Sequence, residues 1–300
     1  MFRKLGQHFL KDARKLKKIV EAIEITPRDI IIEIGPGHGE LTKYILGAKP
    51  RRVIVVERDP QLASFLKENF QLSSQPRYSG VERIRVNSKP GAKSQFAKLE
   101  IIEGDALKVL PILHARYLIP DIYKLTGNIP YYITGHLLRK ISELEKKPKL
   151  VVLTIQKEVA ERITAQPPHM NLLAASVQFW GEPKIVGFIS KKSFRPQPKV
   201  DSAIIKIIPS PQPRYSGVEG IRIGKTAGAI EAGKYYNFIK ILFKQPRKTV
   251  LNNLREGLKL SQKEVEKRLQ KLDISPKLRP ANLSMSDINN LFLIFRDKRV

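Results

Sequence analysis

The stretch that decides the fold is Asp29–Gly39, DIIIEIGPGHG, in which a short apolar run leads directly into a glycine-rich turn. Leu41–Leu46 follows with helical spacing, so the turn joins a predicted strand to a predicted helix. Glycine lets the backbone approach a ligand closely and adopt conformations that other residues avoid. The stretch therefore predicts a strand–turn–helix unit with a ligand site at the turn.

Further apolar runs alternate with helical patterns along the chain. A helix is predicted from Pro60 to about Leu72, because proline at the first helical turn is a good start signal. Near-continuous apolar runs separated by helices are typical of a mainly parallel sheet with helices on both faces. From Tyr235 onward the apolar spacing is helical, which predicts a small all-α domain at the end of the chain. The predicted strands are 29–34, 53–57, 99–103, 124–128, 150–155, 184–189 and 203–208.

The composition predicts a basic globular protein with a polyanionic partner. The chain has 300 residues, and its 55 Lys and Arg against 28 Asp and Glu give a net charge of +27. Such an excess favours nucleic acid or an anionic membrane surface, while a hydrophobic content of 42% excludes a disordered basic tail. With no cysteine, disulfides, thiolate metal sites and cysteine nucleophiles are excluded. No apolar run approaches the roughly 18 residues of a membrane helix, and the N-terminus lacks the apolar region of a signal peptide, so a cytoplasmic protein is expected.

One repeat interrupts this alternation. Residues 75–86 read QPRYSGVERIRV and residues 212–223 read QPRYSGVEGIRI, and both copies fall at predicted connections. They are either a duplicated insertion in surface loops, since long loops cost little closure entropy, or a pair of RNA-contacting hairpins that mix arginines with a tyrosine. The shared sequence favours insertion, which predicts that 74–98 and 211–232 are exposed and mobile.

The glycine turn favours a nucleoside ligand that lacks a pyrophosphate. Gly35 and Gly37 fit the G-x-G-x-x-G pattern of dinucleotide sites, but position 40 is Glu40 and the third glycine comes early, at Gly39. Glu57 ends the second strand, where a carboxylate can accept hydrogen bonds from two ribose hydroxyls. Together these features favour S-adenosylmethionine over NAD. The alternative is a tight strand–helix turn with a surface glutamate.

A second constellation, Asn128–Tyr132 (NIPYY), follows a later predicted strand. The Asn128 amide oxygen and the Ile129 carbonyl are two neighbouring acceptors, and Pro130 has a fixed φ and no N–H. Two acceptors suit one exocyclic amino group with two hydrogens. Tyr131 adds a stacking face for a base. The alternative is a turn with buried aromatic side chains.

These motifs belong to an ordered series that resembles the rRNA adenine N6,N6-dimethyltransferase family, most closely its bacterial small-subunit branch. The resemblance covers nearly the whole chain except 73–98 and 209–233. The motifs are Gly6–Leu10 (GQHFL), Glu33–Gly39 (EIGPGHG), Gly104–Ala106 (GDA), Asn128–Tyr132 (NIPYY), Gln156–Ile163 (QKEVAERI), Phe194–Ala203 (FRPQPKVDSA) and Gln245–Leu254 (QPRKTVLNNL).

The resemblance implies a class I methyltransferase fold, of Rossmann-like α/β type, with S-adenosylmethionine as methyl donor. Asn128 would lie between the donor's methyl group and the target amine, next to Ile129 and Pro130, and Tyr131 and Phe194 would stack on the target adenine. No metal is expected, because the histidines lack the spacing of metal ligands. The implied donor contacts are Gln7, His8, Leu10, Gly35, Gly37, Glu57, Asp105, Ala106 and Asn128.

The resemblance also implies a domain order and a substrate. A catalytic domain over 1–208 would carry the first insert, 209–233 would be a linker with the second, and 234–300 would form a helical RNA-binding domain. The implied substrate is two adjacent adenosines in the 3′-terminal hairpin loop of small-subunit (16S) rRNA, in a pre-30S particle, methylated by a monomer during ribosome biogenesis. The predicted RNA-binding residues are Arg247, Lys248 and Arg255.

Other functions remain open from the sequence. A large-subunit rRNA methyltransferase of the antibiotic-resistance type and a DNA adenine methylase use related chemistry, although Asn-Ile-Pro-Tyr in place of a motif with two prolines argues against DNA. A ribosome-assembly factor without activity is a third possibility. The intact motifs argue against that reading.

Overall fold

A computed structural model describes residues 7–70, 72–73, 83–84, 98–113, 122–210 and 228–296. The strands in these ranges are β1 (Phe9–Leu10), β2 (Ile30–Ile34), β3 (Arg52–Glu57), β4 (Leu72–Ser73), β5 (Arg83–Ile84), β6 (Lys98–Glu103), β7 (Lys124–Asn128), β8 (Leu150–Gln156), β9 (Gly181–Ile189), β10 (Phe194–Arg195) and β11 (Ser202–Pro209). The helices are α1 (Ala13–Ile23), α2 (Glu40–Gly47), α3 (Pro60–Asn69), α4 (Ala106–Val109), α5 (Thr134–Glu143), α6 (Lys157–Ile163), α7 (Leu172–Gln178), α8 (Gly228–Leu242), α9 (Val250–Leu258), α10 (Gln262–Gln270) and α11 (Met285–Phe295).

The main sheet is mixed and mostly parallel, as the apolar runs predict. Its strand order is β6-β3-β2-β7-β8-β11-β9. The first five strands in this order pair in parallel, and β11 pairs antiparallel with β8. Because parallel strands end at the same edge, the residues after β2, β3, β6 and β7 meet there. This edge is where the motifs of the sequence come together.

Short-range signals in the sequence set the starts of the covering helices. The Asp12 side chain accepts hydrogen bonds from the amides of Arg14 and Lys15 and thereby caps α1. Asp59 caps α3 in the same way, with Pro60 at the first helical position. The inner face of α1 is apolar and joins the buried core that it shares with the sheet.

The described residues divide into two compact units. The first draws on Met1–Lys140, Lys146–Ala160 and Lys184–Pro209, and the second on Ile141–Glu145, Glu161–Pro183 and Ser210–Val300. Residues 161–183, which the predicted limits assign to the catalytic domain, thus cluster with the helical unit. The division into catalytic domain, linker and RNA-binding domain stays a prediction.

A group of aromatic side chains lies in the core of the second unit. The rings of Phe179 and Tyr235 are stacked with their centroids 3.7 Å apart, and Phe292 meets Tyr235 edge to face at 5.3 Å. The Tyr235 hydroxyl donates a hydrogen bond to the Ala175 carbonyl, so its polar atom is satisfied in the core. Among the described residues of both units, no helix combines the length and apolar composition that a bilayer span requires.

The structure differs from the predicted elements at three places. The helix predicted to reach Leu72 ends at Asn69, and Leu72–Ser73 form a strand. Two residues of the first repeat copy, Arg83–Ile84, pair antiparallel with that strand, so this part of the insert is not an irregular loop. Helix α8 begins at Gly228, inside the predicted linker, and Ala232 is buried. Of the predicted mobile segments 74–98 and 211–232, the structure describes Arg83–Ile84, Lys98, which begins β6, and residues 228–232. The remaining residues of both segments lie outside the described part of the chain.

Candidate active site

The glycine turn after β2 is shaped by positive φ angles and by an aromatic ring packed against it. Gly35, Gly37 and Gly39 have φ values of 64°, 59° and 80°. A Cβ atom at Gly37 would lie 2.6 Å from the Phe9 ring, so a larger residue would displace the N-terminal segment. Glycine is therefore required at position 37 both for the turn and for the close approach of Phe9.

Glu57, at the end of β3, is 3% exposed and faces this turn. One carboxylate oxygen accepts a hydrogen bond from the Gly37 amide at 3.1 Å, and the other accepts from the Asp59 amide at 2.9 Å. Burial raises the pKa of Glu57, while these two amide contacts oppose the shift. The same carboxylate therefore fixes the turn and presents oxygen atoms to the cleft beside it.

Asp105 and Ala106 follow β6 at the same sheet edge. The Asp105 carboxylate accepts a hydrogen bond from the Leu107 amide at 2.9 Å and so caps α4. Both residues line the cleft. The cap holds the Asp105 side chain in place, which suits a predicted contact with the donor's adenine.

Asn128 occupies the end of β7, and its amide orientation is fixed by the N-terminal segment. Its Nδ2 atom donates a hydrogen bond to the His8 carbonyl at 2.7 Å. A carbonyl oxygen can only accept, so the other amide atom, Oδ1, remains an acceptor. The Ile129 amide donates to the Thr154 carbonyl at 3.1 Å, which ties the start of the NIPYY motif to β8.

Tyr131 is also held in place. Its hydroxyl lies 2.8 Å from the Ser202 hydroxyl, in a hydrogen bond that either group can donate. Burial raises the pKa of the Tyr131 phenol, so the ring stays neutral. Pro130 precedes it with φ −55° and ψ 127°. The motif thus forms a fixed turn at the rim of the cleft.

The N-terminal segment closes one side of the cleft. Strand β1 pairs antiparallel with β10, with Leu10 opposite Phe194. The His8 ring donates from Nδ1 to the Pro196 carbonyl at 2.8 Å, because the carbonyl can only accept. The same ring lies 5.9 Å from the Tyr131 ring. These contacts tie residues far apart in sequence to the NIPYY turn.

One open cleft brings together most of the predicted site residues. Leu10 and Phe194 do not line it: they are 3% and 1% exposed and belong to the buried core next to it. Packing under β1 therefore makes the Phe194 ring unavailable for stacking on a base in this conformation. Arg58 is exposed at the rim of the cleft. The predicted residues that line it are Gln7, His8, Gly35, Gly37, Glu57, Asp105, Ala106, Asn128, Ile129, Pro130 and Tyr131.

Gly127 is a site residue that the sequence analysis missed. It lies in β7 opposite Ile34, and a Cβ atom there would collide with the Ile34 carbonyl oxygen. The absence of a side chain thus lets β2 and β7 approach closely just before Gly35 and Asn128. The preceding glycine in GNIPYY was the available signal, since glycine inside a strand often marks close backbone approach.

Glu33 is a buried carboxyl group directly before the glycine turn. It is 1% exposed, and its Oε2 atom lies 2.7 Å from the Thr42 hydroxyl, which donates to it. Burial raises its pKa to about 8, the Thr42 contact opposes the shift, and the charges of Glu40 and Glu57 add to it. The folded protein therefore binds this proton more tightly than the unfolded chain does.

A pH-dependent stability follows for Glu33→Gln. Because the folded-state pKa is raised, the stabilising contribution of protonated Glu33 is lost as pH rises from about 4.5 towards about 8. We expect the variant to match wild type near pH 4 and to exceed it in free energy of unfolding above pH 8. The difference should be more than 1 kcal/mol, since tenfold tighter proton binding corresponds to about 1.4 kcal/mol. Urea unfolding at the two pH values measures it, and a pH-independent difference would contradict the assignment.

The sheet and cleft define a class of enzyme. A parallel sheet that places a glycine turn and two carboxylates, Glu57 and Asp105, beside one cleft at its carboxyl edge is the arrangement of a class I S-adenosylmethionine-dependent methyltransferase. The residues present fit that donor, since a Cβ atom at Gly35 would have only the Asn128 carbonyl oxygen within 4 Å, which leaves room beside the turn, and Glu57 offers carboxylate oxygens.

Comparison with known proteins identifies the family. The sequence profile described as "Ribosomal RNA adenine dimethylase" matches residues 2–297, and the chain belongs to this family. A Dehalococcoides mccartyi protein named "Ribosomal RNA small subunit methyltransferase A" is 34% identical over 293 residues, which cover 98% of this chain and 88% of that protein. A protein of the same name from Mycoplasmopsis pulmonis is 34% identical over 296 residues and 98% of each chain.

Solved structures agree with this assignment. A dimethyladenosine transferase from Plasmodium falciparum superposes with a TM-score of 0.71 at 28% identity, over 97% of this chain and 98% of that one. The 23S rRNA methyltransferase ErmE, at 22% identity and a TM-score of 0.66, shares the fold. The predicted fold class, the predicted donor S-adenosylmethionine and the predicted rRNA adenine methyltransferase activity are thereby confirmed.

Donor affinity tests the role of Glu57. Glu57→Ala removes the acceptor of the Gly37 amide and the predicted acceptor of the ribose hydroxyls. A contact present before and during the reaction appears mainly in binding. We expect the donor's dissociation constant to rise roughly 10-fold or more, the range for losing a hydrogen bond to a charged group.

Calorimetry with S-adenosylmethionine measures this affinity, and NAD serves as the control ligand. NAD should give no heat with either protein. Tight NAD binding would contradict the interpretation of the glycine turn.

Proposed function

We propose that the chain dimethylates N6 of two adjacent adenosines in the 3′-terminal hairpin loop of small-subunit (16S) rRNA, with a pre-30S particle as substrate. The observation that carries this proposal is the fixed Asn128–Tyr131 turn beside the donor cleft. Support for the choice of rRNA comes from the near full-length likeness to proteins named for the small subunit. We further propose that the enzyme acts as a cytoplasmic monomer.

The residues of the cleft would hold the donor as follows. The backbone at Gly35 and Gly37 takes its methionine part, and Glu57 accepts from its ribose. Asp105 accepts from the amino group of its adenine, with Ala106 against the ring. Gln7 and His8 close the N-terminal side, and Leu10, which is buried in the core and does not line the cleft, would hold this segment in place. The donor supplies an electrophilic methyl group on a sulfonium.

The target adenine is positioned by Asn128 and Ile129. Its N6 atom is a poor nucleophile, because the lone pair is delocalised into the ring. Asn128 Oδ1 and the Ile129 carbonyl together accept both N–H groups, which favours a pyramidal nitrogen with its lone pair aimed at the methyl. In-line transfer then needs positioning more than a strong base. The proton that N6 loses passes to solvent, and Tyr131 stacks on the base, which must be unpaired or flipped to enter.

A methyl-transfer assay tests this function. Purified protein and labelled S-adenosylmethionine are incubated with small ribosomal particles that lack the modification, and separately with large-subunit rRNA. We expect two dimethylated adenosines, mapped by primer extension and mass spectrometry, in the small-subunit hairpin loop. Methylation of the large-subunit RNA instead would assign the chain to the other substrate, and no transfer at all would favour an assembly factor.

The second unit offers a surface for RNA. Arg247 is exposed and Lys248 is partly exposed just before α9, and Arg255 is partly exposed in the last turn of that helix. Lys248 donates to Glu256 at 2.9 Å, and this contact lowers the pKa of Glu256, so the lysine's charge is partly neutralised. We propose that Arg247 and Arg255 make the stronger phosphate contacts of this surface.

A charge-reversal series tests the surface. Changing Arg247, Lys248 and Arg255 to glutamate should weaken binding to the particle and flatten the slope of log affinity against log salt, because fewer counterions are released. Among single changes, Arg247→Glu should have a larger effect than Lys248→Glu. Filter binding at several salt concentrations measures both quantities.

The matched control reverses three exposed cations of the first unit, Lys43, Arg51 and Lys67. It makes the same change in net charge on a different surface. An equal loss of salt dependence in this control would place the RNA contacts elsewhere. Donor affinity should be unchanged in both variants.

A further inference from the structure

Tyr132 is an exposed aromatic residue at the rim of the cleft, beside Tyr131. Tyr132 is 55% exposed, and it also lines the cleft that contains Asn128. The turn that carries it is held by a hydrogen bond from the Ile133 amide to the Pro130 carbonyl and by the Tyr131–Ser202 contact. The Tyr132 ring is therefore presented to solvent from a fixed backbone, next to the place where the target base enters.

The surface continues along the helix that starts after this turn. His136 and Arg139 are exposed on α5, three residues apart and so on one helix face. Between Tyr132 and these residues stands Gly135, where a Cβ atom would meet nothing within 4 Å. The surface that extends from the cleft therefore carries the Tyr132 ring, then the open space at Gly135, and then the Arg139 guanidinium group.

We propose that this surface binds the RNA strand next to the target: Tyr132 stacks on the base adjacent to the adenosine in the cleft, and Arg139 contacts a backbone phosphate beyond it. The proposal rests on the proposed function, since it names the neighbouring nucleotide of that substrate. An adenosine that leaves its stack to enter the cleft exposes the face of its neighbour. A fixed, exposed aromatic ring is the group that binds such a face without reading its hydrogen-bonding edge.

The neighbour is itself a target in the proposed substrate. Two adjacent adenosines must enter one cleft in turn, so the partner of Tyr132 changes between the two rounds of reaction. A stacking contact tolerates this change, because every base has a π-face. Tyr132 would then hold the strand while either adenosine occupies the position between Asn128 and Tyr131.

Tyr132→Ala, Tyr132→Phe and the control Phe188→Ala test the proposal. Phe188 is an exposed aromatic residue of β9, 48% exposed, that does not line the cleft. Each protein methylates particles with the natural adenosine pair and particles in which one of the two adenosines is replaced by uridine, a weaker stacking partner. Single-turnover rates, KM for the particle, donor affinity and melting temperature are measured. Wild-type activity on the natural particle establishes the proposed function before the variants are compared.

We expect Tyr132→Ala to raise KM for the natural particle roughly 5- to 150-fold, the range for one lost base–aromatic stack. Tyr132→Phe should retain nearly all activity, and the loss in Tyr132→Ala should shrink on the uridine particle. Donor affinity and melting temperature should not change. Phe188→Ala should behave as wild type.

A second variant tests the open space. Gly135→Asp places a negative charge near the path of the strand, and an acid in the first turn of a helix does not weaken it. We expect weaker particle binding at an unchanged melting temperature.

The proposal is overturned if wild type is active while Tyr132→Ala matches it, if Tyr132→Ala loses equal activity on both particles, or if Gly135→Asp binds the particle normally. The proposal is also overturned if Tyr132→Ala weakens binding to the particle but leaves binding to naked RNA unchanged, because the ring would then contact a protein of the particle.

Discussion

Asn128→Ala is expected to raise the barrier to methyl transfer by about 2–4 kcal/mol, roughly a 30- to 1,000-fold loss of rate, as for one preorganised polar contact at a reacting centre. The change removes one of the two acceptors proposed for the target amine. It also removes the hydrogen bond from Nδ2 to the His8 carbonyl, which orients the amide. The effect should fall on the chemical step, because the contacts proposed for the particle, those of Arg247, Arg255 and Tyr132, are left unchanged.

Single-turnover transfer from labelled S-adenosylmethionine measures this rate, with calorimetry and filter binding run in parallel. Asn69→Ala is a matched control, since Asn69 is exposed on α3 and donates to the Phe65 carbonyl away from the cleft. It should turn over at the wild-type rate. Wild-type turnover by Asn128→Ala would contradict the proposed role of the NIPYY motif.

Much of the site could be predicted because it lies where predicted strands end. The glycine turn and Glu57 each lie at the end of an apolar run that is easy to recognise, while Asn128 ends a weaker one, KLTGN. In a parallel sheet such ends converge, so local patterns also predict which residues meet. The position of Asp105 follows in the same way from the end of β6, although that strand is preceded by an insert without a clear pattern.

The burial of Leu10 and Phe194 could not be predicted, because it depends on a pairing between distant segments. Strand β1 pairs with β10, which lies near the other end of the first unit in sequence, and each strand has only two residues. Neither shows a periodicity that indicates its partner. A phenylalanine in a loop-like, proline-rich motif suggests a free ring, whereas the pairing covers it.

The start of α8 at Gly228 illustrates a different cause. Gly228 and Gly233 weaken the helical propensity of the first two turns, so the apolar pattern alone begins at Tyr235. Tertiary packing of the buried Ala232 and Tyr235 selects the longer helix. Propensity summed over a short window cannot anticipate such packing.

Gly127 provides the sharpest test of how the sheet builds the site. The added methyl group in Gly127→Ala would collide with the Ile34 carbonyl oxygen, which belongs to the backbone of β2 and cannot rotate away. The strands must separate, and overpacking of this kind costs about 1–3 kcal/mol or more. Because Gly35 and Asn128 directly follow the colliding pair, donor binding and transfer should be lost together with stability.

Gly47→Ala is the matched control for this change. Gly47 ends α2, where a Cβ atom meets nothing within 4 Å and alanine suits the helix better than glycine. Chemical unfolding and donor calorimetry on the two variants should therefore diverge: Gly47→Ala keeps wild-type stability and affinity, while Gly127→Ala loses both. If Gly127→Ala binds the donor as tightly as wild type, the close approach of β2 and β7 is not what aligns the two halves of the cleft.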